Sequence, residues 1–285
     1  MQNSNLDNIQ AVLVLYKCKL EESETYISIS QALKANNQHL DLYVYDNSPD
    51  YYYNADIVKD YPGNITYVHD ASNPGICKPY NNGLEIAIQS SKKWLLLLDQ
   101  DTGITINYFI TLYEAIKINN IASIVPIVYS NDEIVSPTRY DLMGRMKPVS
   151  SEEFGSVTKG ITAINSGACI LVDFLSEING FNEVFPLDML DHWFYSEVVK
   201  HKRDIFLLDT ELQHNLSVSN YRILSIERYK KIIDAEILFY KLYTTPLIRS
   251  FLNLRLLIRA LKFIIYLKFN FMSVTIKSLF ISVKK

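Results

Sequence analysis

Short runs of apolar, β-branched and aromatic residues alternate along the chain with stretches whose apolar positions recur every three or four residues. The runs AVLVLY (11–16), LDLYVY (40–45), ITYVH (65–69), WLLLL (94–98) and IASIVPIVY (121–129) predict β-strands. Between them, Tyr26, Ile29 and Leu33 fall at helical spacing across 23–35, and Leu84, Ala87 and Ile88 do so across 80–90. Strands that are apolar throughout, joined by helices, imply an α/β fold whose central sheet is largely parallel and covered on both faces. Beyond Val128 the pattern loosens through a polar stretch to Gly160, then resumes as ITAINSGACILV (161–172) and DIFLLD (204–209). Residues 221–245 read as an aromatic helix and 249–285 as a basic, apolar helical tail. The expected division is a domain over 1–220 and a helical region over 221–285.

With 48% hydrophobic and 12% aromatic residues, the 285-residue chain can fill a substantial core, which excludes disordered and disulfide-stapled classes. The net charge of -3 conceals an asymmetry, because the last acid is Glu236. Residues 237–285 carry nine Lys/Arg and no Asp/Glu, leaving 19 basic and 31 acidic residues, or -12, over 1–236. An acidic body with a basic, apolar tail points to an anionic membrane surface rather than to nucleic acid. In the tail, Arg255, Arg259 and Lys262 fall on one helical face while Leu254, Leu257, Ile258, Leu261, Ile264 and Ile265 cover the rest. No uncharged apolar run reaches the roughly 18 residues of a spanning helix, so the expectation is an amphipathic helix lying peripherally on the cytoplasmic face of the plasma membrane. A helix packed on protein, including a homodimer partner, would show the same pattern. Cys18, Cys77 and Cys169 have neither pairing nor metal-ligand spacing, and the polar MQNSNLDNIQ start lacks the features of a signal peptide; both fit a cytoplasmic location.

In parallel sheets, ligands bind beyond the carboxyl ends of the strands, where strand order reverses. Those positions hold Lys17 after the first strand, Asp46-Asn47-Ser48 after the second and Asp99-Gln100-Asp101 after the fourth. Neither GxGxxG nor GxxxxGK[ST] occurs, so phosphates need another partner. Hard carboxylate oxygens suit Mg²⁺ or Mn²⁺, whose shell a substrate diphosphate completes. The competing reading makes Asp99 a turn residue, Asp101 the cap of a helix starting near Thr105, and Asp46 the head of an Asx-turn. The run NPGICKPYNNG (73–83) predicts a loop between strand and helix, with Lys78 within it.

The ordered set of Asp46, Asn73-x-Gly75, Asn81-x-Gly83, Asp99-Gln100-Asp101, Gly167 and GFNE (180–183) resembles the inverting family 2 glycosyltransferases over residues 11 to about 215. That resemblance implies the GT-A fold, Rossmann-like with a mostly parallel central sheet flanked by helices, here followed by a C-terminal helical basic tail. It further implies a nucleotide-sugar donor bound by Tyr16, Asp46, Asn47, Asn73, Gly75, Asn81 and Asp99, with Asp46 on the pyrimidine and Asp99 near the ribose or metal. Asp101 and His214 would bind Mg²⁺ or Mn²⁺, and Asp191 in FPLDMLDHW would be the catalytic base. A single in-line displacement needs one such base within reach of the acceptor hydroxyl, although Asp188 or Asp191 also suits a helix N-terminus. The segments LLLDQDT and VYDNS are most similar to bacterial rhamnosyltransferases, which implies transfer of L-rhamnose from dTDP-rhamnose to a polyprenyl-linked or other glycan acceptor. Trp193 and Glu197 stand where relatives carry Glu and Arg, and the Gln-x-x-Arg-Trp motif of processive synthases is missing. Two rivals share parts of the pattern: a nucleotidyltransferase, disfavoured because YKCKLEESE (16–24) has no glycine, and a catalytically degenerate sugar-binding protein.

Overall fold

The computed structural model describes residues 6–141, 144–214 and 224–283. In chain order the first elements are β1 (Ile9–Leu15), α1 (Glu24–Asn36), β2 (Asp41–Asp46), α2 (Ala55–Lys59), β3 (Ile65–His69), α3 (Cys77–Gln89), β4 (Trp94–Asp99), β5 (Thr102–Gly103) and α4 (Ile106–Ala115). They continue with β6 (Ile121–Ser130), β7 (Glu133–Ser136), β8 (Thr138–Tyr140), β9 (Met146–Pro148), β10 (Val157–Thr158), β11 (Ala168–Leu171), α5 (Val172–Glu177), α6 (Leu190–Lys200) and β12 (Asp204–His214). Three helices follow: α7 (Ile226–Tyr243), α8 (Pro246–Ile265) and α9 (Phe269–Val283). The chain forms two compact units, Met1–Thr138 with Pro148–Asn215 and Arg139–Lys147 with Leu216–Lys285. The expected division between residues 220 and 221 lies outside the described residues.

The first unit is built on one sheet in the order β10-β12-β6-β11-β4-β1-β2-β3, with β5 added to β12 and β7 to β6. Helical crossovers make neighbouring strands parallel, and β3, β2, β1 and β4 are parallel as the alternation predicts. β11 departs from this. It pairs antiparallel with both β4 and β6, so those two strands run the same way with β11 filling the gap between them. The sheet is therefore mixed, and the predicted strand over 161–172 is reduced to Ala168–Leu171. Every residue of β1 is buried, and Leu95 to Leu98 of β4 are 0% exposed.

Local chemistry sets the helix boundaries. Ser23 caps α1 by accepting from the Tyr26 amide at 3.2 Å, and Asn37 ends it in the left-handed region at φ 49°. α3 crosses β1 so closely that a Cβ on Gly83 would lie 2.2 Å from Val12 Cγ2.

The second unit is held by an aromatic cluster. Tyr229 of α7, Phe263 of α8 and Phe271 of α9 meet with ring centroids 5.0 to 5.6 Å apart, and the Tyr229 hydroxyl is 2.7 Å from Thr275 Oγ1. Pro246 occupies the start of α8, where its missing N–H leaves no bond unmade, and Thr245 caps that helix. The tail helix does not present Arg255 and Arg259 as a solvated basic face. Arg255 Nη1 donates to the Gly144 carbonyl at 2.6 Å, and Arg259 pairs with Glu236 at 2.9 Å. Among the described residues no helix is long and apolar enough to cross a membrane.

The Gly83 contact yields a test of this packing. Gly83→Ala should destabilise the fold by about 1–3 kcal/mol through overpacking, and adding Val12→Ala should recover part of that loss. Denaturant titration of the two single variants and the double variant measures the coupling; strictly additive losses would mean that the helix and strand do not meet here.

Candidate functional site

β1 lies between β2 and β4, so the strand order reverses at its carboxyl end. Parallel register brings the three ends level: Leu15 opposes Asp46 of β2, and Val14 opposes Asp99 of β4. The turn that follows β4 is Gln100-Asp101, and every backbone group it presents has to be matched or solvated.

Much of that matching comes from α1. The buried Thr25 hydroxyl lies 2.5 Å from the Asp99 carbonyl, accepts from the Thr102 amide at 2.9 Å and is 2.9 Å from the Thr102 carbonyl. Ser23 Oγ donates to the Gln100 carbonyl at 2.8 Å. The Gln100 side chain accepts from the Tyr16 amide at 2.8 Å, tying the end of β1 to the turn. Tyr16 itself is 44% exposed, with the Lys17 ammonium 5.2 Å from its ring centroid. The helix-cap reading of Asp101 does not hold, because Thr105 caps α4 by accepting from the Tyr108 amide. Asp99 Oδ2 accepts from the fully buried Ser166 hydroxyl at 2.5 Å.

β5 pairs antiparallel with the end of β12, placing Thr102 opposite His214. His214 Nδ1 is 2.8 Å from Thr102 Oγ1 and 3.5 Å from Asp101 Oδ1. Burial pushes the Asp101 carboxyl up, His214 opposes this, and Asp99 adds to it. Asp99 at the end of β4, Asp101 in the turn after it and His214 at the end of β12 are oxygen and imidazole donors of the kind that suit Mn²⁺ or Mg²⁺. Among the described residues, no group of three or more His, Cys, Asp and Glu is placed to hold a metal ion.

At the end of β2, Asp46 is fully buried, and both of its oxygens are engaged. Oδ1 accepts from the Ser48 amide at 2.8 Å, which is the Asx-turn, and Oδ2 accepts from the Tyr67 hydroxyl at 2.5 Å. Asn47 is 3% exposed; its Nδ2 donates to the Gly75 carbonyl at 2.8 Å, and its Oδ1 has no hydrogen-bond partner. Asn73 is exposed and left-handed, with φ 48°. Gly75 is required by its surroundings: φ is +91°, and a Cβ would lie 2.2 Å from the Pro186 carbonyl oxygen. The amides of Ile76 and Cys77 donate to that same carbonyl at 2.8 and 3.1 Å.

Asn81 has a different task from the one expected. Its amide holds the Phe181 backbone, accepting from N at 2.7 Å and donating to O at 2.9 Å, so it braces the 181–190 segment against α3. Lys78 donates to Asp70 at 2.9 Å.

Asp191 lies in the first turn of α6, where Oδ1 accepts from the His192 amide at 2.7 Å; the N-cap is Met189, without a side-chain cap. Trp193 is part of the core, and buried Glu197 pairs with Lys200 at 2.8 Å and His201 at 3.5 Å. Tyr80 of α3, absent from the sequence expectations, is fully buried, and its hydroxyl has no hydrogen-bond partner. Burial holds that hydroxyl well above the ordinary phenol range, and Asp99 and Asp191 push the same way. Thr25 and Ser166 were likewise missed, and Gln100 was read only as part of the strand-end motif. Their signal was faint, a hydroxyl or amide within motifs read for their acids and glycines.

Thr25→Val should strand the Thr102 amide and lower stability by about 1–3 kcal/mol, whereas Thr25→Ser should stay within about 0.5–1.5 kcal/mol of wild type. Chemical denaturation of both variants checks this; a Thr25→Val loss no larger than that of Thr25→Ser would mean that the hydroxyl does not brace the turn.

Residues 13–178 match the family described as Glycosyl transferase family 2, which is more than half of the chain. No curated protein matches the chain in sequence. Solved structures share the fold. S. aureus TarS 1-349 in complex with UDP-GlcNAc is 16% identical with a TM-score of 0.51, covering 86% of this chain and 72% of that one. The UDP complex of the same TarS segment is 15% identical with a TM-score of 0.50, covering 86% and 71%. GalNAc-T7 with UDP, GalNAc and Mn²⁺ is 10% identical with a TM-score of 0.53; 82% of this chain is covered, but only 48% of that one. The mixed sheet flanked by helices, the strand-end acids and the matched residues together place this chain in glycosyl transferase family 2, with the GT-A fold.

Proposed function

We propose that the chain is an inverting, metal-dependent glycosyltransferase that moves L-rhamnose from dTDP-rhamnose to a lipid-linked surface-polysaccharide precursor, working at the periphery of a membrane. The observation that carries the donor side is the meeting of Asp101 and His214, 3.5 Å apart, beside Asp99 at the strand-order reversal. Asp101 and His214 would hold Mn²⁺ or Mg²⁺. The ring nitrogen that faces Asp101 is Nδ1, which also meets the Thr102 hydroxyl at 2.8 Å. The bound cation would neutralise charge on the leaving diphosphate. The neighbours solved with UDP, with UDP-GlcNAc and with UDP, GalNAc and Mn²⁺ support the same ligand class here.

The protein's own groups divide the remaining work. Asn47 offers a buried, unpartnered carbonyl oxygen beside Asp46, suited to the imide N–H of thymine or uracil or to a ribose hydroxyl. Tyr16, Asn73 and Gly75 line the approach, with Gly75 giving the loop its shape. Asp191 accepts the proton of the acceptor hydroxyl as that oxygen bonds to the anomeric carbon and the bond to the diphosphate oxygen breaks. The fit to dTDP-rhamnose rests on the likeness of LLLDQDT and VYDNS to rhamnosyltransferases. In this reading residues 1–220 carry the chemistry and 221–285 the attachment.

Two measurements test the roles. Asp101→Ala should abolish the Mn²⁺-dependent part of dTDP binding in calorimetry while leaving the thermal transition in place; undiminished metal dependence would remove Asp101 from the site. Asp191→Asn should keep donor affinity and lose transfer by about 10²-fold or more. Retained turnover in a radiolabelled-sugar assay would move the base elsewhere.

A further inference from the structure

The tail helix of the second unit turns its apolar residues in two directions. α8 buries Leu252, Leu256, Ala260 and Phe263. On the opposite side Leu254, Leu257, Ile258, Leu261, Ile264 and Ile265 are each between 44 and 75% exposed. At roughly 3.6 residues per turn these six span an arc of about 120° along a helix about 30 Å long. The stripe continues through Tyr266 and Leu267, 70 and 74% exposed, in the turn to α9. Scattered exposed leucines are ordinary; a continuous aliphatic ridge on one helix marks an interface.

Charge decides what covers it. Residues 237–285 contain no acid, and Lys241, Lys262 and Lys277 are exposed on this unit. A second copy docked ridge to ridge would bring together two α8 helices whose only charged residues are Arg249, Arg255, Arg259 and Lys262, all basic. An anionic lipid surface complements the lysines and supplies acyl chains for the ridge. The arginines expected to make the attachment are engaged within the unit, Arg255 with Gly144 and Arg259 with Glu236.

We propose that α8 lies in the plane of an anionic bilayer with its aliphatic ridge inserted among the acyl chains, and that this ridge, not the arginine face, holds the protein there. The inference rests on the proposed membrane-surface function but not on the donor or its metal. Lys262, beside Leu261 and one turn from Ile258 on the same helix, would extend its alkyl stem along the ridge and keep its ammonium group among the phosphates. Attachment of this kind survives salt, because screening weakens charge attraction and leaves apolar transfer intact.

Flotation of the full chain with phosphatidylcholine vesicles, with and without phosphatidylglycerol, tests this. The wild type should float with the anionic vesicles and stay bound in high salt. Leu254→Gln/Leu261→Gln/Ile265→Gln, all at exposed positions, should lower partitioning about tenfold or more with its circular-dichroism melt and dTDP affinity unchanged. Leu257→Trp should add indole fluorescence that brominated acyl chains quench. Release of the wild type by high salt, wild-type flotation of the triple variant, or an added indole signal that brominated lipid leaves unquenched would each overturn the proposal. So would a wild type that fails to float and forms a dimer dissolved by the triple variant. Failure of the wild type to bind dTDP would defeat the donor reading and leave the flotation result standing.

Discussion

The parallel pairing of β1 on both edges is the constraint on which the site depends. A slip of one residue would exchange the side chains on its two faces, and because both faces are buried along the whole strand the packing on each would have to be remade. The levels of Asp46 and Asp99 thus follow from the burial of the leucines and valines beneath them. Those acids do not attract one another, and Asp99 makes ionisation of Asp101 harder. Each of the four buried leucines of β4 contributes about 1.5–3 kcal/mol. A like-charge pair near a surface costs about 1 to 4 kcal/mol at close range. The apolar strands therefore hold the acids together against their repulsion.

Hydrophobic pattern made the first half of this architecture legible. Strands that are buried on both faces show as unbroken apolar runs, and the crossovers between them have room for helices, so direction and strand ends could be read together. The acids at those ends stood out because charges seldom follow four leucines without a reason. β11 was harder. Only four residues of its apolar run pair in the sheet, and no periodicity distinguishes them from the bends before them. Its antiparallel insertion depends on partners about 70 residues away in the chain, a distance that local pattern does not reach.

The groups that brace the site were illegible for a related reason. Thr25 sits within an amphipathic helix and Ser166 in a glycine-containing turn; nothing in their immediate sequence marks them as partners of Asp99. Asn81 stood in a motif that suggested a ligand, yet its amide matches the two backbone groups of Phe181. The tail shows the opposite limit. Helical spacing correctly grouped the arginines and leucines of α8, but periodicity locates faces without saying which one turns inward. Here Gly144 and Glu236, distant in sequence, drew the arginines in.

The position of β11 bears on how the chain is made. β4 and β6 run the same way with an opening between them that only residues 168–171 fill. A nascent chain that has formed β1 to β6 therefore displays the edge of β4, four leucines long, with its amides and carbonyls unpaired. Such an edge is a template for other chains. That edge of β4 stays open until residues 168–171 have emerged and paired, so its cover is made about 70 residues after the strand itself.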